Sequence, residues 1–233
     1  MALPWVEALQ AEKWVRLDVS HRIEALQQME LGLADQEGRE ACTVGLIPEE
    51  QRRFSLDGEP ALRGQYNPIE NDIQLDPILL SNERPPYQAV ETYFHEARHA
   101  YQHYAIEHPE THDNPQQVAD WTKNDAAYID REDIELGMAN FSDYRWQPLE
   151  ADAREVARTH TNELYTGVFQ DTTDRHQEYG AEKQAELIAD RNRAIEQLGT
   201  TDYEQEAYLH MLSKYDAAQA MSEDYDYPYG YGL

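Results

Sequence analysis

The 233-residue chain holds a single cysteine, Cys42. No internal disulfide can form, and no thiolate cluster can hold a metal ion. A reducing cytoplasm is compatible with this but not required by it. Basic residues are also scarce: 19 Lys and Arg stand against 46 Asp and Glu, a formal charge of −27. A surface of that sign repels phosphate backbones and anionic membranes, which argues against nucleic-acid or membrane binding. Solubility or adaptation to salt accounts for the charge, and a basic partner or substrate is the sharper account. No stretch approaches the ~20 apolar residues that a membrane helix needs. The opening stretch, MALPWVEALQAEKWVRLDVS, carries charges throughout and lacks the basic start and apolar run of a signal peptide. The expectation is a cytoplasmic protein, or one exported by a route without an N-terminal signal peptide.

The periodicities that are present predict an α+β protein, predominantly helical. Leu3 to Leu33 carries apolar residues at helical spacing, with Gly32 and Gly38 punctuating its end. Short strand candidates follow from Cys42, at Arg63–Tyr66 and at Asp72–Leu75, the last two separated by the turn signal Asn67-Pro68. In PPYQAVETYFHEARHAYQHY, the residues Val90, Phe94, Ala97, Tyr101 and Tyr104 step by three and four, which predicts a helix running to about Tyr104. Val118 to about Met138 reads as mostly helical, and FSDYRWQP as a loop. A helix opens at Pro148, with Leu149, Ala153, Val156, Ala157, His160 and Leu164 on its inner face. Helical stretches at about Gln177–Leu198 and Tyr203–Ser222 follow, and then an acidic, tyrosine-rich tail over 223–233 that is expected to be mobile.

Residues 94–101 read FHEARHAY. His95 and His99 stand four apart on a helix, so their imidazoles project from one face, with Glu96 beside them. H-E-x-x-H is the arrangement in which two histidines bind zinc and the glutamate serves as general base. A catalytic zinc site takes three protein ligands and keeps a position for water. Glu150, near the start of the helix that opens at Pro148, is the candidate third ligand, because Ala153 and Ala157 leave that helix face small enough for close packing. The competing account makes Glu150 an ordinary first-turn acid favoured by the helix dipole. Tyr144 is the candidate donor to the oxyanion, with His103 and His160 behind it. His103 also reads as a neighbouring or surface group, and His160 as a satisfied core histidine. Asp152 is a candidate to orient a ligand imidazole, or a solvated helix charge.

HEARH followed by LEADAREVA resembles the gluzincin branch of zinc metallopeptidases, in particular the ImmA/IrrE-type domains and the minimal zincins of bacterial toxins and phage proteins. Glu150, Ala153, Val156 and Ala157 match that family's ligand-bearing helix, and Gly64, Tyr66, Ile73 and Leu75 match the strand that precedes its active-site helix. The match covers roughly residues 42–167. The spacing to Glu150 contains a longer insert than the smallest members have, and no helix-turn-helix accompanies it. The resemblance implies a minimal zincin core, a small antiparallel sheet packed on an active-site helix and a second ligand-bearing helix. The expected division is then a helical segment 1–41, the metallopeptidase core 42–170, a helical extension 171–222 and the tail 223–233. It also implies bound Zn2+ and a substrate strand added along the Ile73–Leu75 edge.

The leading expectation is a zinc-dependent endopeptidase acting on a protein or peptide. A bacterial or phage effector, toxin or regulatory protease fits, with an immunity or other partner protein as a further expectation. The alternative is a catalytically silent zincin scaffold that binds protein, against which the intact Glu96 argues. A third account is an acidic interaction protein whose motif is fortuitous, and it predicts no stoichiometric zinc.

Overall fold

The computed structural model describes residues 4–52, 62–81 and 84–225. The chain is mostly helical with one three-stranded sheet, an α+β arrangement. Two compact units emerge: Met1–His108 with Asp152–Gln184, and Pro109–Ala151 with Ala185–Leu233. Both are discontinuous in sequence, whereas the expected division is sequential. The chain leaves the first unit after its long central helix and returns to it inside a later one.

In the first unit, the stretch expected as one long helix is three: α1 (Pro4–Ala8), α2 (Ala11–Trp14) and α3 (Val19–Glu37). Asp18 stops continuity, because it takes an extended backbone and its carboxylate accepts the His21 N–H at 2.9 Å, capping α3. The break lets Trp14 turn inward. Arg22, fully buried, then donates to the Trp14 carbonyl at 2.8 Å and to that of Leu80 at 2.9 Å, and so satisfies the end of α2 and a distant turn together. Gly38, at φ 71°, closes α3 in the left-handed conformation.

The strands are β1 (Thr43–Leu46), β2 (Gly64–Asn67) and β3 (Asp72–Leu75), in the order β1-β3-β2. The Asn67 side chain accepts the Ile69 N–H at 3.0 Å and makes the β2–β3 turn. β2 runs antiparallel to β3, with Tyr66 opposite Ile73, but β1 runs parallel to it, with Val44 opposite Ile73. The sheet is therefore mixed rather than antiparallel. The tight turn after β2 reverses the chain, and β3 then enters between β2 and β1 in the direction of β1. β3 is also the central strand, so the expected docking edge at Ile73–Leu75 is already hydrogen-bonded on both sides. Ile73 and Leu75 are both fully buried, as a central strand requires.

α4 (Tyr87–Glu107) lies against β2 and β3. Its residues Tyr87, Val90, Phe94 and Ala97 join Leu9, Trp14, Leu26, Ile73 and Leu75 in one apolar core. A buried polar knot crosses that core. Arg39 grips Glu30 with two hydrogen bonds, at 2.6 and 3.2 Å, while Tyr93 Oη donates to the same carboxylate at 2.7 Å and the Cys42 N–H at 2.8 Å. Burial pushes the Cys42 thiol up to about 12, so it stays protonated and unreactive.

In the second unit, α5 (Pro115–Ala126) is followed by the short α6 (Arg131–Glu135) and by α7 (Phe141–Trp146). The segment expected as a loop is thus a helix. Asp143 accepts the Asn140 N–H at 2.8 Å, a cap that hydrophobic periodicity does not reveal. α8 (Pro148–Asn162) begins in this unit and runs on into the first, continuing as a π-helical turn, Glu163–Val168. α9 (Asp174–Leu198) and α10 (Tyr203–Tyr225) complete the described chain. Residues 226–233, most of the expected tail, lie outside the described residues.

Candidate metal centre

The apolar stripe of α4 faces the sheet and turns the histidine row to its flank. His95 and His99 are half-buried there, and Glu96 is 6 % exposed. The two rings meet edge to face with their centroids 4.6 Å apart, and His95 Nε2 lies 3.1 Å from His99 Nε2. Two imidazole nitrogens at that separation must have a proton or a cation between them, since two lone pairs would repel.

Which nitrogen of His99 carries its proton follows from its other side. His99 Nδ1 stands 2.8 Å from Gln102 Oε1, and Gln102 Nε2 donates to Asp152 Oδ2 at 2.7 Å. A carboxylate only accepts, so the Gln102 nitrogen faces Asp152 and its oxygen faces His99. The histidine must then donate from Nδ1, which in the neutral imidazole leaves Nε2 as an electron pair turned toward His95. Asp152 is in turn held by Arg98, Nε to Oδ2 at 2.7 Å and Nη2 to Oδ1 at 3.2 Å.

Glu150 sits on the first turn of α8 and is 2 % exposed. One ligand atom from each of His95, His99 and Glu150 lies within 4.8 Å of the others. The division between the two units falls inside α8, after Ala151, so Glu150 belongs to the same continuous helix that carries Asp152 and Ala157 in the first unit. Ala153 and Ala157 on the same face are buried, in keeping with the small inner face expected of this helix. Two imidazole nitrogens and one carboxylate oxygen are donors that could hold a metal ion, and their chemistry fits zinc.

The start of α8 is anchored by two buried amides. Asn124 Oδ1 accepts the Leu149 N–H at 2.9 Å, and Asn124 Nδ2 donates to Gln147 Oε1 at 2.7 Å. Tyr128 Oη donates to Glu150 Oε1 at 2.5 Å. Burial first, and the Glu150 charge second, hold the Tyr128 phenol far above its ordinary value, so it is a permanent donor.

Tyr144 stands behind Tyr128. Their rings meet edge to face at 6.2 Å. Tyr144 lies on α7 rather than in a loop. His103 turns its ring toward Tyr66 of β2, at 6.2 Å between centroids. His160 is half-buried and packs edge to face on Phe94 at 5.2 Å, and burial lowers its pKa. Asp152 accepts from Gln102, which stands against His99 Nδ1. Gln102, three residues after His99, has a spacing that could have singled it out. Tyr128 carries no such signal.

Comparison with protein-family models, with curated proteins and with solved structures gives no match.

Proposed function

We propose that the chain is a zinc-dependent endopeptidase of the gluzincin type, with His95, His99 and Glu150 as metal ligands and Glu96 as general base. The observation that carries this reading is the convergence of the three donor atoms beside a buried carboxylate that belongs to the same helical turn as two of them. Bound zinc would supply Lewis acidity, polarising the scissile carbonyl and making water acidic enough to lose a proton near pH ~7. Glu96 accepts a proton from the attacking water and passes it to the departing amide nitrogen. Water is thereby added across the C–N bond, which leaves a carboxylic acid and an amine. Tyr128 holds the Glu150 carboxylate, and Gln102 holds His99.

The substrate backbone pairs along β2, an outer strand of the described sheet, rather than along β3. β2 passes directly beside Glu96, which brings an added strand to the general base. A protein or peptide is the substrate class, and the overall negative charge favours a basic one. The zincin core and its kinship with toxin and regulatory peptidases belong to this proposal.

The test combines metal content with cleavage. The purified chain should hold one zinc per molecule and cleave an unstructured peptide library. Glu96→Gln should keep the zinc and lose the cleavage. Stoichiometric zinc without hydrolysis in the wild type would favour the silent scaffold, and absence of zinc would favour the fortuitous motif.

A further inference from the structure

We propose that Gln102 and Asp152 form a positioning relay that fixes the tautomer and ring direction of His99. The relay rests on the metal-binding reading for its purpose, but its geometry stands without it. Three hydrogen-bonded links run from the histidine outward, namely His99 Nδ1 to Gln102 Oε1 at 2.8 Å, Gln102 Nε2 to Asp152 Oδ2 at 2.7 Å, and Asp152 to Arg98 by a two-nitrogen pair. Each link has a forced direction, because Arg98 only donates and the Asp152 carboxylate only accepts. The last freedom, which end of the Gln102 amide faces inward, is removed by Asp152. Gln102 is 1 % exposed, so water does not compete for it.

The consequence is specific. His99 is held with its proton on Nδ1, and its Nε2 electron pair stays aimed at His95 Nε2, 3.1 Å away. A direct carboxylate on Nδ1, the commoner arrangement behind metal-binding histidines, would also orient the ring. It would, however, place a full negative charge against the imidazole. The interposed amide keeps the orientation and moves the charge one side chain outward, where Arg98 neutralises it. An ion at this centre would therefore be met by a pre-aimed but not electron-enriched ligand, which preserves its Lewis acidity. The relay also ties α4 to α8 at Asp152, two residues from Glu150, so one set of hydrogen bonds aims His99 and holds the helix that carries the third ligand.

The test uses the full chain with 15N-labelled histidines. In the metal-free wild type at pH 8, long-range 15N–1H correlations should show His99 as the Nδ1–H tautomer, its signals assigned by their loss in His99→Asn. Gln102→Leu should mix the tautomers and weaken zinc binding, measured by competition with a chelating dye, by about 10–100-fold. The double exchange Gln102→Glu with Asp152→Asn keeps the net charge and the bond to His99, because a carboxylate at position 102 accepts from both His99 and the amide at position 152, while Arg98 keeps only its Nη2 bond to the remaining oxygen at position 152. It should restore the single tautomer and bring zinc affinity back to within a few-fold of wild type. A Gln102→Leu protein that retains the Nδ1–H tautomer and wild-type zinc affinity overturns the relay. Should that variant fail to fold, mixed tautomers in the charge-conserving exchange overturn it equally. A wild type that takes up no zinc removes the metal-binding reading alone, since the tautomer measurement still decides the relay.

Discussion

A Cβ placed on Gly64 would sit 2.9 Å from Glu96 Oε1 and 2.6 Å from Thr92 Cγ2. The backbone of β2 and the side chain of the candidate base are thus in direct apposition, and only glycine permits it. Gly64→Ala must push either the strand or Glu96 aside. The expected outcome is retained zinc with turnover lowered about 10–100-fold, the scale of a misplacement near 1 Å. Metal content and kcat on one peptide check it, and wild-type kcat would show that Glu96 does not act from this position.

Glu96→Gln removes proton acceptance while keeping shape and hydrogen bonds. General-base contributions run to about 10²–10⁴-fold, and the loss should fall on kcat with zinc content unchanged. A variant as active as the wild type would take Glu96 out of the reaction.

Tyr128→Phe deletes the hydroxyl that holds Glu150 Oε1. It should weaken zinc binding by about 10-fold, in the range for partners of ligands, and Glu150→Ala should weaken it further. Tyr144→Phe leaves the Tyr128 bond to Glu150 in place, so its effect should be smaller than that of Tyr128→Phe. Zinc competition titrations on the three proteins give the ranking. A larger loss for Tyr144→Phe would reverse the assignment and favour Tyr144 at the reaction centre.

The histidine pair and Glu96 were legible because a three-and-four apolar stripe forces a helix, and the helix forces His95 and His99 to one face. Asn67-Pro68 likewise specified its turn locally. What escaped was set at long range. The parallel pairing of β1 with β3 depends on which side of β3 the β2 strand occupies, and no local pattern in Thr43–Leu46 records it. The break of the first helix at Asp18 is a cap hidden inside a stretch whose periodicity continues past it. Tyr128 lies between α5 and α6 in a weakly patterned region, where nothing in the sequence marks a residue that reaches Glu150. Gln102 had a visible spacing, but an amide advertises no chemistry until its two neighbours are known.

His160 gives a pH dependence of stability. Burial lowers its pKa in the folded chain below the ordinary 6.5, so the unfolded chain binds the proton more readily. Its contribution is fully present above about pH 6.5, the unfolded value, and is lost as pH falls from there through the folded value. His160→Gln should therefore show a smaller fall in urea midpoint between pH 7.5 and pH 5 than the wild type does. Equal falls would remove His160 as a source of acid sensitivity.

The polar knot at Glu30 makes the strongest stability prediction. Glu30 and Arg39 are paired through side chains exposed by 0 % and 2 %, and Tyr93 and the Cys42 N–H complete the carboxylate's bonding. Arg39→Met strands a negative charge in the core with its desolvation uncompensated, which costs about 3–5 kcal/mol. Glu30→Gln in the same background removes that charge while leaving one acceptor oxygen for the Cys42 N–H and an NH2 group that donates to Tyr93 Oη, so the double variant should regain part of the loss. Urea unfolding of the two proteins separates the charge from the packing. If Arg39→Met alone unfolds at the wild-type midpoint, the pair contributes orientation but no stability.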